Sequence, residues 1–523
     1  MLKQAYLPFT ALWFALLLSA CGGGGGGTSL SSCSGNAAAC AASGSAGNGT
    51  STGTALAPSI TLANLCQAPR VGGDPFNKNL AYPDKPGSLT TEKQWLRSWI
   101  DETYLWYKEV PASLNPDSYA NPIAYFDALK TPELTASGKA KDRFHFTYSS
   151  AEWDAISQQG VELGYGIRWS RSASGTFPRK RVIATVELGS PADKAGLRRG
   201  DQLTTIDSLD YLNSAVAADI AIFNQALFPE KTGELHTFVF ERNGSTINAP
   251  MVAENVAVAP VQNVKTISTS SGTVGYLTFH EHNANSEKGL VDAITQLKTA
   301  GVTDLVLDVR YNGGGLLYVA SELAYMIAGP TATAGKVFEQ AQFNDKIRPD
   351  PATPFFATAI GFSTTQGVPK GSTLPYLGLK RVSLLTSAGT CSASEAIING
   401  LQGIDIEVNL IGAQTCGKPY GFYPTPNCGT TYFAIQFKGV NNKGFGDYSD
   451  GIAATCNVAD DFTRALGDPT EGQLAAALSY RESKVCPAAS VGVNLQAGYA
   501  TQNLRLVRPA AKEIAIYGSG SLR

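Results

Sequence analysis

Apolar residues recur at different spacings along this chain, and the spacing changes where the folding units change. Between Glu92 and Tyr107, the residues Trp95, Leu96, Trp99, Ile100, Tyr104 and Tyr107 fall at helical intervals. That predicts an amphipathic helix whose aromatic stripe faces a core. Asn121 to Lys130 predicts a second, shorter helix with Pro122 near its first turn. After Leu163 the runs shorten to strand length: Val182–Val186, Gln202–Ile206, Thr237–Arg242 and Ile247–Val252. The last two flank Asn243-Gly244, a pair suited to a tight hairpin turn. From Val274 onward strands and helices alternate. Strands are predicted at Val274–Phe279, Asp304–Val309, Val382–Leu385 and Val408–Ile411. Helices are predicted at Glu287–Thr299, Leu316–Ile327, Ala393–Leu401 and Glu471–Tyr480. Such alternation implies a largely parallel sheet covered by helices. The fold class is therefore multi-domain α/β, with a helical amino-terminal domain (86–158), a β-rich insert (159–256), an α/β core (257–486) and a tail (487–523) for which the pattern gives no function.

The start of the chain belongs to none of these units. Lys3 precedes an apolar stretch from Leu7 to Leu18, and Ser19-Ala20-Cys21 follows, the layout of a signal peptide over residues 1–20. The apolar stretch is short for a bilayer span, which takes about 20 residues. L-S-A-C resembles the bacterial lipoprotein box, which implies lipidation of Cys21 and a membrane anchor, and Gly22 implies sorting to the outer membrane. The Gly, Ser, Ala and Thr that dominate Gly22 to about Ala57 cannot bury a core, so residues 21–85 are expected to be a flexible tether and lead-in. The expected location is the cell envelope, facing the periplasm or the cell surface. Net charge is −2 and no basic run exists to neutralise phosphates, so nothing points to a nucleic-acid partner. Cys21 aside, eight of the nine cysteines remain, an even number that suggests disulfides in an exported chain. The pairs expected are Cys416–Cys428 and Cys456–Cys486.

Candidate chemistry concentrates between Leu384 and Lys418. Ser392 stands where a strand gives way to a helix, with Glu395 three residues on, so it is either a helix N-cap in a capping box or a nucleophile at a strand-to-helix turn. Lys418 follows a second strand in a Gly-Lys pair, and a buried lysine is able to serve as a base. Cys391 is a rival nucleophile, disfavoured because no histidine lies nearby in sequence; a disulfide partner or a small buried hydrophobe is the plainer reading. His280-Glu281-His282 offers two metal-ligand types without a visible third, and no metal site is assigned.

S-A-S-E around Ser392, T-x-G-K ending at Lys418 and D-V-R-Y-N-G-G-G from Asp308 together resemble the carboxyl-terminal processing, or tail-specific, peptidases. The resemblance spans roughly 90 to 485 and implies a serine endopeptidase with Ser392 as nucleophile and Lys418 as base, acting on protein or peptide substrates without a cofactor. It also implies an oxyanion hole from the N–H groups of Ala393 and of Gly314. Gly314 is favoured because many members carry proline where this chain has Gly313. The serine-to-lysine interval is about one residue longer than the family's, the extra residue falling near Gly403 to Asp405. The family commonly has a glutamine four residues after the lysine; here that position is Phe422. Asp308 and Arg310 read as an ion pair that stitches the glycine loop.

The insert carries S-P-A-x-x-A-G-L-x-x-G-D from Ser190, which resembles the PDZ domains of bacterial proteases. The resemblance implies capture of a peptide terminus by strand addition, with the carboxylate on the loop Tyr165-Gly166-Ile167. The alternative to an enzyme is a non-catalytic peptide- or ligand-binding protein, since domains resembling this core occur in retinoid-binding proteins of the eye.

Overall fold

The computed structural model describes residues 55–171, 177–362, 367–487, 505–507 and 515–517. The signal-peptide and lipidation expectations, Cys21 included, and Cys33 and Cys40 lie outside the described residues.

The core is a six-stranded sheet. Its spatial order is Val261–Thr269, Gly272–Phe279, Asp304–Asp308, Arg381–Thr386, Glu407–Gly412 and Cys456–Asn457. The first pair is antiparallel and every later pair parallel. Side chains alternate across the sheet, as the pleat requires. Leu305, Leu307, Leu384 and Leu410 face a cluster shared with the helices Ser286–Thr299, Leu317–Thr333 and Ala393–Gln402. Val306, Leu385 and Ile411 face Leu474 and Ala477 of the helix Gly472–Ser483. Strands buried on both faces explain why these segments read as near-continuous apolar runs.

The amino-terminal helix runs Leu89–Thr103, capped by Ser88, and ends before the expected Tyr107. Its stripe is buried at Trp95, Leu96, Trp99 and Ile100, as is Tyr104 just beyond. The stripe's core extends into the α/β core segment. It packs with Tyr420, Phe422, Tyr432 and Phe433 of the core segment, and the strand Phe146–Ser149 pairs with Thr430–Phe433. Cys66 is bonded to Cys428, so the lead-in from Ser59 is structured rather than a tether throughout.

The insert is built on the strands Ile167–Arg171, Arg181–Val186, Gln202–Ile206, Leu235–Arg242 and Ser245–Val252. The expected hairpin turns at Asn243-Gly244, both at positive φ. A helix, Ala217–Leu227, was not read from the sequence; its apolar residues run almost continuously and leave little amphipathic contrast. In the tail, short strands occur at Arg505–Val507 and Ala515–Tyr517.

Candidate active site

Ser392 sits between the strand Arg381–Thr386 and the helix Ala393–Gln402, at φ 62° and ψ −117°. A non-glycine residue held at positive φ stores strain that the surrounding structure must over-determine. Here the Cys391 N–H donates to the Asn312 carbonyl (3.1 Å), as does Ser394 Oγ (3.2 Å). Ser392 Oγ is buried and has no hydrogen-bond partner among the described residues.

Lys418 lies at the end of a loop that a glycine makes possible. Gly417 has φ +87°, and a Cβ there would stand 2.4 Å from the Ser449 carbonyl oxygen. Lys418 is fully buried, with Nζ 4.1 Å from the Phe422 ring centroid and 5.1 Å from that of Phe144. Burial holds its ammonium well below the ordinary lysine range, and the carboxylates of Asp142 and Glu395 offset part of that.

Glu395 brings the two turns together. Its Oε2 accepts the Ser392 N–H (2.9 Å) and the Lys418 N–H (2.8 Å). Its Oε1 accepts the Gly417 N–H (2.8 Å) and the Thr415 hydroxyl. The capping-box spacing thus marks a carboxylate that brackets both candidate residues. Burial raises the Glu395 carboxyl above its usual range, against the pull of these four donors.

The glycine loop lies alongside. The Asn312 amide donates to the Phe279 carbonyl (3.0 Å), and its Oδ1 accepts the Gly314 N–H (2.9 Å). This corrects the expected oxyanion donor, because the Gly314 N–H is already engaged. Among the described residues the N–H groups of Gly313 and Ala393 make no hydrogen bond. In the glycine loop, among the described residues, the unengaged N–H is therefore that of Gly313 rather than Gly314. Arg310 is fully buried and meets Asp308 (3.0 Å), Asp460 (2.8 Å) and Glu471 (2.8 Å), the expected stitch extended to three carboxylates. His282 is buried against Asn312 (Nδ1 to Oδ1, 3.1 Å), and burial pushes its pKa down to about 4. His280-Glu281-His282 forms no ligand cluster; among the described residues one group has ligating atoms close enough, Cys391, Glu395 and Cys416. Its two sulfurs are bonded to each other.

That bond overturns the expected Cys416–Cys428 pair: Cys416 joins Cys391, and Cys428 joins Cys66. A long-range partner for Cys428 leaves no local signal, whereas Cys456–Cys486 is as expected. The amino-terminal contribution was equally illegible. The Arg143 guanidinium donates to the carbonyls of Cys416 (2.9 Å), Gly417 (3.3 Å) and Ser449 (3.3 Å). Asp142 accepts from the Tyr104 hydroxyl (2.6 Å), the Phe144 N–H (2.9 Å) and His145 Nδ1 (3.2 Å). Burial alone raises its carboxyl, yet these donors outweigh it and hold Asp142 below its usual range.

In the insert, Tyr165, Gly166 and Ile167 open the strand Ile167–Arg171. The Tyr165 ring turns into the domain core against Phe238, so only its backbone faces the expected carboxylate loop. Gly166 has φ +76°, and a Cβ there would stand 2.3 Å from Ser190 Cβ. Arg199 of the insert binds Asp460 and the Tyr311 hydroxyl, tying the insert to the glycine loop.

Three family descriptions match this chain: Peptidase S41 N-terminal domain over 91–149, PDZ domain over 182–213 and Peptidase family S41 over 273–427. A carboxyl-terminal-processing protease of Picosynechococcus is 26% identical over 231 residues, which are 44% of this chain and 49% of that protein. The chloroplastic C-terminal processing peptidase of Tetradesmus obliquus is 27% identical over 186 residues, 33% of this chain and 37% of that one. The chain thus spans about half, or less, of the length of these relatives. A crystal structure of a Bacteroides fragilis protein assigned to the S41 proteases shares the fold, with TM-score 0.58 and 22% identity over 77% of this chain and 98% of that one. The N-terminal, PDZ and peptidase descriptions thus match in this order along the chain, and with carboxyl-terminal-processing proteases among its relatives the chain is similar to the peptidases of family S41.

Proposed function

We propose that this chain is a serine endopeptidase of the carboxyl-terminal-processing type, with Ser392 as nucleophile and Lys418 as general base. The observation that carries the reading is the Glu395 oxygen that accepts the N–H of both residues. Ser392 Oγ attacks the scissile carbonyl carbon while neutral Lys418 takes its proton. The oxyanion that forms is met by the N–H groups of Gly313 and Ala393, which make no hydrogen bond among the described residues. Lys418 then protonates the leaving amine, and water releases the acyl group. The Ser392–Lys418 hydrogen bond is not closed in this state, as Ser392 Oγ has no partner among the described residues. Catalytic hydrogen bonds often tighten only with substrate bound.

The PDZ domain presents substrate tails by adding them beside the strand Ile167–Arg171, with the terminal carboxylate on the loop at Tyr165 to Ile167. A tail takes the place of the chain's own strand Arg505–Val507, which pairs antiparallel with that edge in this structure. Export and lipidation at Cys21 place the enzyme in the cell envelope, facing protein substrates there. A casein degradation assay of the purified chain beside Ser392→Ala tests the activity. Loss of nearly all hydrolysis in the variant is expected; full hydrolysis by Ser392→Ala removes Ser392 as the nucleophile, and none by the wild type favours the non-catalytic binder.

A further inference from the structure

The disulfide Cys391–Cys416 joins the residue just before Ser392 to the residue two before Lys418, with Cα atoms 5.2 Å apart. It is the covalent link between the two turns, alongside the Glu395 hydrogen bonds and the Cys416 N–H to Thr390 carbonyl bond (3.0 Å). The other two disulfides among the described residues serve other places. Cys66–Cys428 fastens the lead-in to the core, and Cys456–Cys486 ties an edge strand to the segment after the last helix. Cys391 is buried and Cys416 half-buried, so a reductant approaches from the Cys416 side.

We propose that Cys391–Cys416 is a positioning element for the Ser392–Lys418 pair, so that peptidase activity depends on its oxidised state. The proposal rests on the reading of Ser392 and Lys418 given above. A dithiol reductant attacks Cys416 Sγ through one thiolate, forming a mixed disulfide and releasing the Cys391 thiolate. Its second thiol then displaces the Cys416 thiolate. Two protein thiols and one oxidised reductant result, two electrons and two protons having passed to the protein.

The two thiols cannot remain at bonding distance and separate to non-bonded contact. Ser392, Glu395 and Lys418 around them are fully buried, and a close-packed interior has no void to absorb the movement. The displacement therefore passes into the two turns. A misplacement of about 1 Å costs on the order of 100-fold in rate. Cys416 Sγ also lies 3.5 Å from Glu395 Oε2, the oxygen that brackets both turns. As a thiol it donates to that oxygen and competes with the two backbone N–H groups. The PDZ groove is built from other strands, so the effect falls on kcat rather than KM.

The test titrates the full-length chain with dithiothreitol, following hydrolysis of a peptide substrate and, by alkylation and mass spectrometry, the state of each cysteine. We expect kcat to fall about 10- to 100-fold as Cys391 and Cys416 become alkylatable, KM to hold, and activity to return on reoxidation. The double variant Cys391→Ala/Cys416→Ala is expected to show the same reduced kcat and to ignore dithiothreitol. Unchanged kcat with both thiols alkylatable overturns the proposal. So does wild-type kcat in the double variant, an equal loss in that variant on reduction, or a bond that yields only when circular dichroism shows unfolding. An oxidised chain that hydrolyses nothing fails the peptidase reading instead, before reduction is tried.

Discussion

At the scale of residues, the account turns on a lysine made weakly basic by burial. In the proposed mechanism only neutral Lys418 accepts the Ser392 proton, so activity is expected to rise with pH through a pKa lying well below the ordinary lysine range. A rate profile from mildly acidic to alkaline pH checks this, and a flat profile contradicts it. Asp142 supplies negative charge that favours the ammonium form, so Asp142→Asn lowers the lysine pKa and moves the rising limb to lower pH. A limb that stays in place while the rate drops limits Asp142 to a structural role. The sequence motifs located the turns that Glu395 brackets, at Ser392 and Lys418, and the Arg310 ion pair, because each lies in a continuous motif. Gly314 was misassigned because the competing acceptor, Asn312 Oδ1, is a matter of side-chain direction that spacing does not encode. Phe422 was known only as a departure from the family pattern; its ring proves to be a wall of the lysine site.

At the scale of elements, the loop bearing Lys418 is held from outside the core. Arg143 clamps the two carbonyls that precede the lysine. Arg143→Ala is expected to lower kcat about 10- to 100-fold with little change in the melting temperature, since the clamp is local. Single-turnover kinetics beside a thermal melt separate this from general destabilisation. In the PDZ domain, Gly166→Ala forces a Cβ onto Ser190 at a backbone angle that favours glycine. Cleavage of long substrates with a free apolar carboxyl terminus should fall several-fold, while a minimal peptide is cut as before. Equal rates for free and amidated substrates, unchanged in Gly166→Ala, reduce the insert to a structural cap. The strands and helices of the core were readable because each alternates apolar length and period. The helix Ala217–Leu227 was not, as apolar residues on most of its faces hide the period.

At the scale of the whole molecule, the amino-terminal helices, the lysine loop and the core share one aromatic cluster, which sequence separation concealed. Cys66–Cys428 closes that arrangement over 362 residues. Replacing both cysteines by serine is expected to cost about 2–5 kcal/mol, read as a drop in denaturation midpoint under oxidising conditions. A midpoint equal to wild type denies the bond any stabilising role. The proposed anchor is Cys21, near the first residues of the sequence. Cys21→Ser is expected to shift the protein from the membrane to the soluble fraction or to block maturation, and normal processing with retention at the membrane rules out Cys21 as the anchor. The central claim, that Ser392 and Lys418 act as one catalytic unit, is tested most directly by casein hydrolysis with Ser392→Ala, Lys418→Ala and the double variant side by side. The account predicts that each single variant loses nearly all activity and that the double variant is little worse, because residues acting as a unit are non-additive. Losses that add independently, or substantial hydrolysis by either single variant, contradict it.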